Sequence, residues 1–357
     1  MKRHKVRIAL LFGGRSAEHE VSLASASAIY KNIDKTRYTV TSIFIDKTGR
    51  WRRIASPLLP PGGLRSGPSS SFLPWEALSS LPRRVRADIY FPVLHGPYGE
   101  DGTIQGLLEL SDVPYVGAGV LSSAAGMDKA VMKVLFADRH LPIVRHRVFG
   151  EVEWKKSRKA ILGLIGKEFP LPFFVKPANL GSSVGISKVK KRGQTERALA
   201  SAFRYDRKVV VEEGIKGREI ECSVLGNDRP RASLPGEVIP YRDFYDYRDK
   251  YLDNKTRFRI PADLPASLVR EVQRLAVEAF LAVECSGMAR LDFFLEDGTG
   301  KLYVNEINTI PGFTEISMYP KLWGVSGIPF GRLIEELVRL GLERHRRKKR
   351  CLERLAR

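Results

Sequence analysis

Residues 290–312, RLDFFLEDGTGKLYVNEINTIPG, constrain the fold more tightly than any other stretch of the chain. Leu291, Phe293 and Leu295 alternate with Asp292 and Phe294, residues 297–300 are the turn formers DGTG, and Leu302-Tyr303-Val304 begins a second β-prone run. The pattern predicts a hairpin. Side chains two apart on a strand share a face, so Glu306 and Asn308 point the same way, and pairing brings Asp292 alongside them. Two carboxylates and an amide oxygen are hard donors of the kind that hold Mg²⁺, with substrate phosphates and water completing the shell. A charged hairpin face that is merely solvated fits the same residues, and the rest of the chain must decide.

A chain of 357 residues can bury a large core and divide into two or three domains. No apolar run reaches the ~20 residues of a membrane span. The opening Met1-Lys2-Arg3-His4-Lys5 leads into a short strand rather than a secretory apolar region. The expectation is a cytoplasmic protein without a membrane partner. Cys222, Cys285 and Cys351 are odd in number and widely spaced, which indicates neither a disulfide framework nor a zinc site. A net charge of +20 invites a nucleic-acid reading. Its distribution argues against one: only residues 344–350, RHRRKKR, form a dense run, without interleaved aromatics or a reading module. A solvated helix end accounts for that run, and basic residues elsewhere can attract anionic substrates such as nucleotide triphosphates.

Residues 6–12, VRIALLF, are a continuous apolar run closed by Gly13-Gly14, the pattern of a buried parallel strand ending in a tight turn. A helix should follow, with Ser16 at its cap, Glu18 and Glu20 in the first turn, and Val21, Ala24, Ala28 and Ile29 as its apolar stripe. Residues 38–46 give a further strand, so the chain opens as an α/β unit. Residues 57–86 are rich in Pro, Gly, Ser and Arg and read as loops with one short helix near 75–81. Strand signal returns at 87–94, and the glycine-punctuated 95–102, HGPYGEDG, feeds a helix over 103–110. That loop lies beyond a strand's carboxyl end, where open α/β sheets bind ligands, although a lone His95 is more often structural.

Residues 114–119 mark a domain edge, followed by a helix that carries Asp128 and Lys129. A strand at 171–177 ends in Lys176, and residues 179–186, NLGSSVGI, form a small-residue loop. Its N–H groups and serine hydroxyls can meet phosphate oxygens with Lys176 beside them, or it is a plain turn; no Walker motif is present. Residues 208–213 give a strand whose polar end, Glu212-Glu213-Gly214, reads as a hinge with Glu219 in reach. The Tyr-rich segment 241–251 has no clear periodicity and reads as a long ordered loop, the usual form of a lid. Helices are predicted over 265–282 and 330–342.

Together these residues resemble the D-alanine:D-alanine ligases of the ATP-grasp superfamily, over residues 6–342. The resemblance is carried by GGRSAEHEVS at 13–22, HGPYGEDGTIQG at 95–106, MDK at 127–129, KPANLGSSVGI at 176–186, FYDYRDKY at 244–251 and NEINTIPGFT at 305–314, in that order. The basic tail and the Pro/Ser/Arg-rich segment depart from the family pattern without touching a motif. The resemblance implies an α/β (α+β) fold: an N-terminal Rossmann-like parallel-sheet domain at 1–117, an ATP-grasp formed by a central subdomain at 118–211 and a C-terminal one at 212–343, and a basic tail at 344–357.

By the same resemblance, Lys129, Lys176, Ser183 and Lys250 would hold ATP phosphates, Glu212 and Ile215 the adenine side, and Glu219 the ribose. Asp292, Glu306 and Asn308 would carry two Mg²⁺ (or Mn²⁺). Glu18 would bind the ammonium of the first D-alanine and join Ser182 and Tyr251 in a hydrogen-bond triad. His95 would lie near that substrate. Arg290 and the Gly312 N–H would stabilise an oxyanion, and Ser317 and Met318 would bind the second carboxylate. The family further implies a homodimer. Tyr251 favours an amino acid over D-lactate as second substrate, with D-serine the alternative; an inactive ligase fold that binds nucleic acid is the reading from another class.

Overall fold

A computed structural model of the chain describes residues 4–58, 71–72, 85–240 and 256–355. The expected helix near 75–81 and the expected lid loop, with Lys250 and Tyr251, lie outside these residues.

Three sheets are present among the described residues. The first has the order β4-β3-β2-β1-β5, from β1 (Val6–Gly13), β2 (Tyr38–Ile45), β3 (Trp51–Ile54), β4 (Ser71–Phe72) and β5 (Ile89–Val93). β1 pairs in parallel with β2 and β5, while β3 and β4 add an antiparallel edge. The unbroken apolar run of β1 follows from this central position. Ile8, Leu10 and Phe12 enter one core with Leu333, Ile334 and Leu337, whereas Ala9 and Leu11 enter another with Ile104 and Leu108. A strand covered on both faces has no polar side to display.

Helix α1 (His19–Asn32) departs from its expected stripe. Ala24 is exposed, and the buried face runs through Ser22, Ser25, Ala26 and Ile29. Two serines therefore stand where periodicity expects apolar side chains, because each finds a partner: Ser22 accepts from the Gly13 N–H at 2.8 Å, and Ser25 faces His95. The helix α2 (Thr103–Leu110) has the predicted bounds.

The second sheet contains β10 (Gly217–Gly226), β12 (Gly236–Ile239), β13 (Arg257–Arg259), β14 (Gly287–Glu296) and β15 (Leu302–Asn308) in the order β13-β12-β10-β14-β15, with β11 (Arg231–Ala232) paired to β10. Its core includes Val272, Leu275, Ala276, Ala279 and Phe280, the stripe of the amphipathic helix Ala266–Ala282, together with Met132 and Phe136 from Lys129–Asp138. Asp128 is not inside a helix as the sequence suggested. It separates Val120–Met127 from Lys129–Asp138 and caps the latter, accepting from the N–H groups of Ala130 and Val131 at 3.0 and 3.1 Å.

The third sheet is antiparallel, in the order β6-β9-β7-β8, from β6 (His146–Gly150), β7 (Phe173–Pro177), β8 (Ser187–Val189) and β9 (Lys208–Glu213). The last helix, Phe330–Leu355, continues through the basic run rather than ending before it. No helix among the described residues is long and apolar enough to cross a membrane.

Candidate active site

The predicted hairpin is β14 with β15. Asp292 stands opposite Glu306 and Arg290 opposite Asn308, and the register shifts between Asp292 and Phe293, a bulge beside the polar cluster. Arg290 forks onto Asp292 with both contacts at 2.7 Å, and its Nε lies 3.1 Å from Glu221 on β10. Burial alone would lower the guanidinium pKa, but Asp292 and then Glu221 outweigh it and hold Arg290 firmly cationic. The Asn308 amide donates to Asp292 Oδ2 at 3.1 Å, leaving its carbonyl oxygen for other partners. Among the described residues no group of three or more His, Cys, Asp or Glu side chains could hold a metal ion. The available donors are two carboxylates and one amide, a set that fits a hard cation sharing its shell with phosphate oxygens.

Lysines approach this face from the third sheet and the helix Lys129–Asp138. Lys129 Nζ lies 3.4 Å from Glu306 and donates to the Leu180 carbonyl at 2.8 Å. Lys176, at the end of β7, reaches Glu212 Oε2 at 2.5 Å, and Lys133 reaches Oε1 of the same carboxylate at 3.1 Å. Burial pushes Glu212 upward, yet the two ammonium groups bring its pKa far below the carboxylate range. Both oxygens of the Glu212 carboxylate are thus held by lysines. Lys133 escaped the sequence reading, although its position one helical turn after Lys129 puts both on one face and could have signalled it.

The 179–186 loop carries Ser182 and Ser183 at φ 51° and 59°, consecutive residues in the left-handed region. Asp206 fixes the loop's start, accepting from the Asn179 N–H at 2.8 Å and its amide at 2.9 Å. Ser182 Oγ donates to Glu18 Oε1, which joins this loop to the segment just before α1. Glu18 is so closely surrounded that a Cβ on Gly96 would sit 2.7 Å from its Oε2, and one on Gly181 3.2 Å away.

A further set of contacts surrounds the 310–313 segment. His95 Nδ1 lies 2.9 Å from the Ile310 carbonyl, and Glu100 accepts from the N–H groups of Ile310 at 3.2 Å and Gly96 at 2.8 Å. The Phe313 N–H donates to Ser25 Oγ at 3.1 Å. Burial lowers the His95 pKa, and burial, then Glu18, pushes Glu100 up to about 8. Ser317 Oγ accepts from the Thr314 N–H at 3.0 Å and lies 2.8 Å from where a Gly312 Cβ would be, so a side chain there would press on Ser317. The Met318 side chain is buried against Val238 and Leu322, which leaves its main chain as the group it can present.

A cavity of about 500 Å³ is lined by Lys129, Lys176, Ser182, Ser183, Glu212, Ile215, Glu219, Asp292 and Glu306, among others. This size suits a small-molecule ligand. Glu18, His95, Arg290, Asn308, Gly312, Ser317 and Met318 lie outside that lining. Of these, Glu18 is joined to it through Ser182, and Arg290 and Asn308 through Asp292.

Residues 7–118 match the family model for the N-terminus of D-ala D-ala ligase, and residues 135–339 match the model for its C-terminus. The chain belongs to the D-alanine–D-alanine ligase family. It is 52% identical over 344 residues to the D-alanine–D-alanine ligase of Solibacter usitatus, covering 96% of this chain and 98% of the relative. It is 49% identical to that of Heliobacterium modesticaldum, with 99% of each covered. Among solved structures, the ligase of Coxiella burnetii superposes with a TM-score of 0.81 at 38% identity over 99% of each chain. The VanG D-Ala:D-Ser ligase of Enterococcus faecalis gives 0.83 at 33% identity, covering 95% of this chain and all of that one. The sheets described above are accordingly those of a D-alanine–D-alanine ligase with the ATP-grasp fold.

Proposed function

We propose that this protein joins two molecules of D-alanine to D-alanyl-D-alanine at the expense of ATP, forming ADP and phosphate, for peptidoglycan precursors in the cytoplasm. The observation that carries the proposal is the convergence on one cavity of Lys129, Lys176, Asp292 and Glu306 in a chain related to these ligases along its whole length. A carboxylate is a poor acylating agent. Its attack on the γ-phosphorus gives D-alanyl phosphate and ADP, and converts a carboxylate oxygen into part of a phosphate leaving group. The second amine then forms the C–N bond to the acyl carbon, phosphate departs, and the amine loses a proton.

In this reading Lys129, Lys176 and Ser183 bind phosphates, Glu219 takes the ribose, and Ile215 with the Glu212 main chain borders the base. Asp292, Glu306 and Asn308 supply the oxygen donors for two Mg²⁺ (or Mn²⁺), whose charge when bound neutralises the phosphoryl oxygens. Glu18 receives the first ammonium while Ser182 orients it. His95 lies beside that substrate as a positioning group. Arg290 and the Gly312 N–H stabilise the oxyanion, and the Ser317 and Met318 end of the helix Met318–Val325 receives the second carboxylate. Lys250 and Tyr251 complete the phosphate and triad contacts, and the working unit is a homodimer.

The test is phosphate release from ATP and Mg²⁺ with D-alanine, then with D-alanine plus D-serine or D-lactate, the products identified by mass. D-Alanyl-D-alanine is the expected product. A mixed product would overturn the choice of second substrate, and no turnover above background would overturn the ligase reading.

A further inference from the structure

Three side chains of the N-terminal domain grip the main chain of residues 310–313, which lie more than two hundred positions away in sequence. The Ile310 carbonyl can only accept, so His95 Nδ1 carries the proton in that 2.9 Å contact. In the neutral ring Nε2 is then an acceptor. Ser25 Oγ, 3.1 Å from Nε2, donates to it and receives the Phe313 N–H in return. Glu100 takes the Ile310 N–H with one oxygen and the Gly96 N–H with the other. Both ends of the Ile310–Phe313 segment are therefore held, and the Gly312 peptide hangs between them. Ser25 is wholly buried on α1, where its hydroxyl has no solvent alternative.

We propose that Ser25, with Glu100, is a positioning residue of the ligase reaction: through His95 and the Phe313 N–H it fixes the Gly312 N–H at the oxyanion position. This rests on the ligase reading given above. An oxyanion donor acts only from the place where charge develops, so a small displacement of its loop lowers turnover without altering the nucleotide cavity. Ser25 and Glu100 lie outside the lining of that cavity.

The experiment compares the full-length protein with Ser25→Ala, Ser25→Thr and Glu100→Gln, measuring dipeptide turnover with D-alanine and, separately, ATP affinity by calorimetry. Ser25→Ala removes the acceptor of one N–H and the donor to His95. Glu100→Gln turns an amide donor against one of two main-chain donors. Both should lose ~10-fold or more in kcat with ATP affinity held within about twofold, and Ser25→Thr, which keeps the hydroxyl, should recover most of the loss. Unchanged kcat in both variants, or kcat and ATP affinity falling together with no recovery in Ser25→Thr, would overturn the positioning role. A wild-type protein that makes no dipeptide would instead overturn the ligase reading beneath it.

Discussion

Lys133 and Glu212 form an ion pair at 3.1 Å with side chains only 1% and 2% exposed. Lys176 completes a buried triad on the other carboxylate oxygen at 2.5 Å. Removing one lysine leaves the other on Glu212, whereas removing the shared carboxylate strands two ammonium groups in a medium that solvates them poorly. Glu212→Gln should destabilise the protein by about 3–5 kcal/mol, read from the urea midpoint. Adding Lys133→Met to that variant should restore part of the loss, since one of the two stranded charges goes with it. A double variant no more stable than Glu212→Gln would show that packing, not charge, holds the site.

Arg290 links Asp292 on its own strand to Glu221 on β10, and Asp292 and Glu221 are register neighbours. Arg290→Ala removes an oxyanion donor and leaves two carboxylates facing each other without their cation. Turnover should fall by ~10² or more, measured as steady-state dipeptide formation. Arg290→Lys should remain impaired, because one ammonium cannot reproduce the bidentate fork. An unchanged rate in Arg290→Ala would remove the arginine from the chemistry.

The pH dependence of stability carries a signature of Glu100. Burial, then the nearby Glu18, raises its folded pKa from 4.5 to about 8, while the Gly96 and Ile310 N–H groups and Arg290 pull the other way. Between those values the folded state holds a proton that the unfolded state has released. Stability from this group is therefore complete below about 4.5 and lost as pH rises towards 8. The expected slope within the window is up to about 1.4 kcal/mol per pH unit. Glu100→Gln cannot titrate, so urea midpoints across the window should decline less steeply in that variant than in wild type. Parallel profiles would place the proton elsewhere.

Much of the site was legible because period and spacing are local. Asp292, Glu306 and Asn308 follow from strand alternation and a turn, and β1 from an unbroken apolar run. Lys133, Ser25 and Glu100 were not legible, for a common reason. Each is polar and wholly or partly buried, and its partners, Glu212, His95, Phe313 and Ile310, come from elements remote in sequence. Periodicity counts apolar side chains, so the buried serines of α1 registered as the wrong face. Glu212 illustrates the same limit: its place at the end of a strand was readable, but the two lysines that claim its carboxylate were not.

The basic run at 344–350 was readable as a charged helix end, but its partners were not. Among its residues, Arg344 donates to the Gly117 carbonyl, to Ser286 Oγ at 2.9 Å and to the Tyr115 carbonyl at 3.3 Å, and lies 4.2 Å above the Tyr115 ring. It thereby ties the last helix both to residues 115–117 and to the start of β14. Arg347 pairs with Asp228 and Lys348 with Glu109, so part of the positive run is neutralised within the molecule. Arg344→Ala should cost about 1–3 kcal/mol, since carbonyls in a partly buried junction lose a charged donor. Lys349→Ala and Arg350→Ala, on exposed side chains, should stay within about 0.5 kcal/mol of wild type. Denaturant midpoints decide between the two classes. Equal effects at 344 and 350 would return the run to a solvated helix end, and the expected gap makes Arg344 the residue through which the basic segment contributes to the fold.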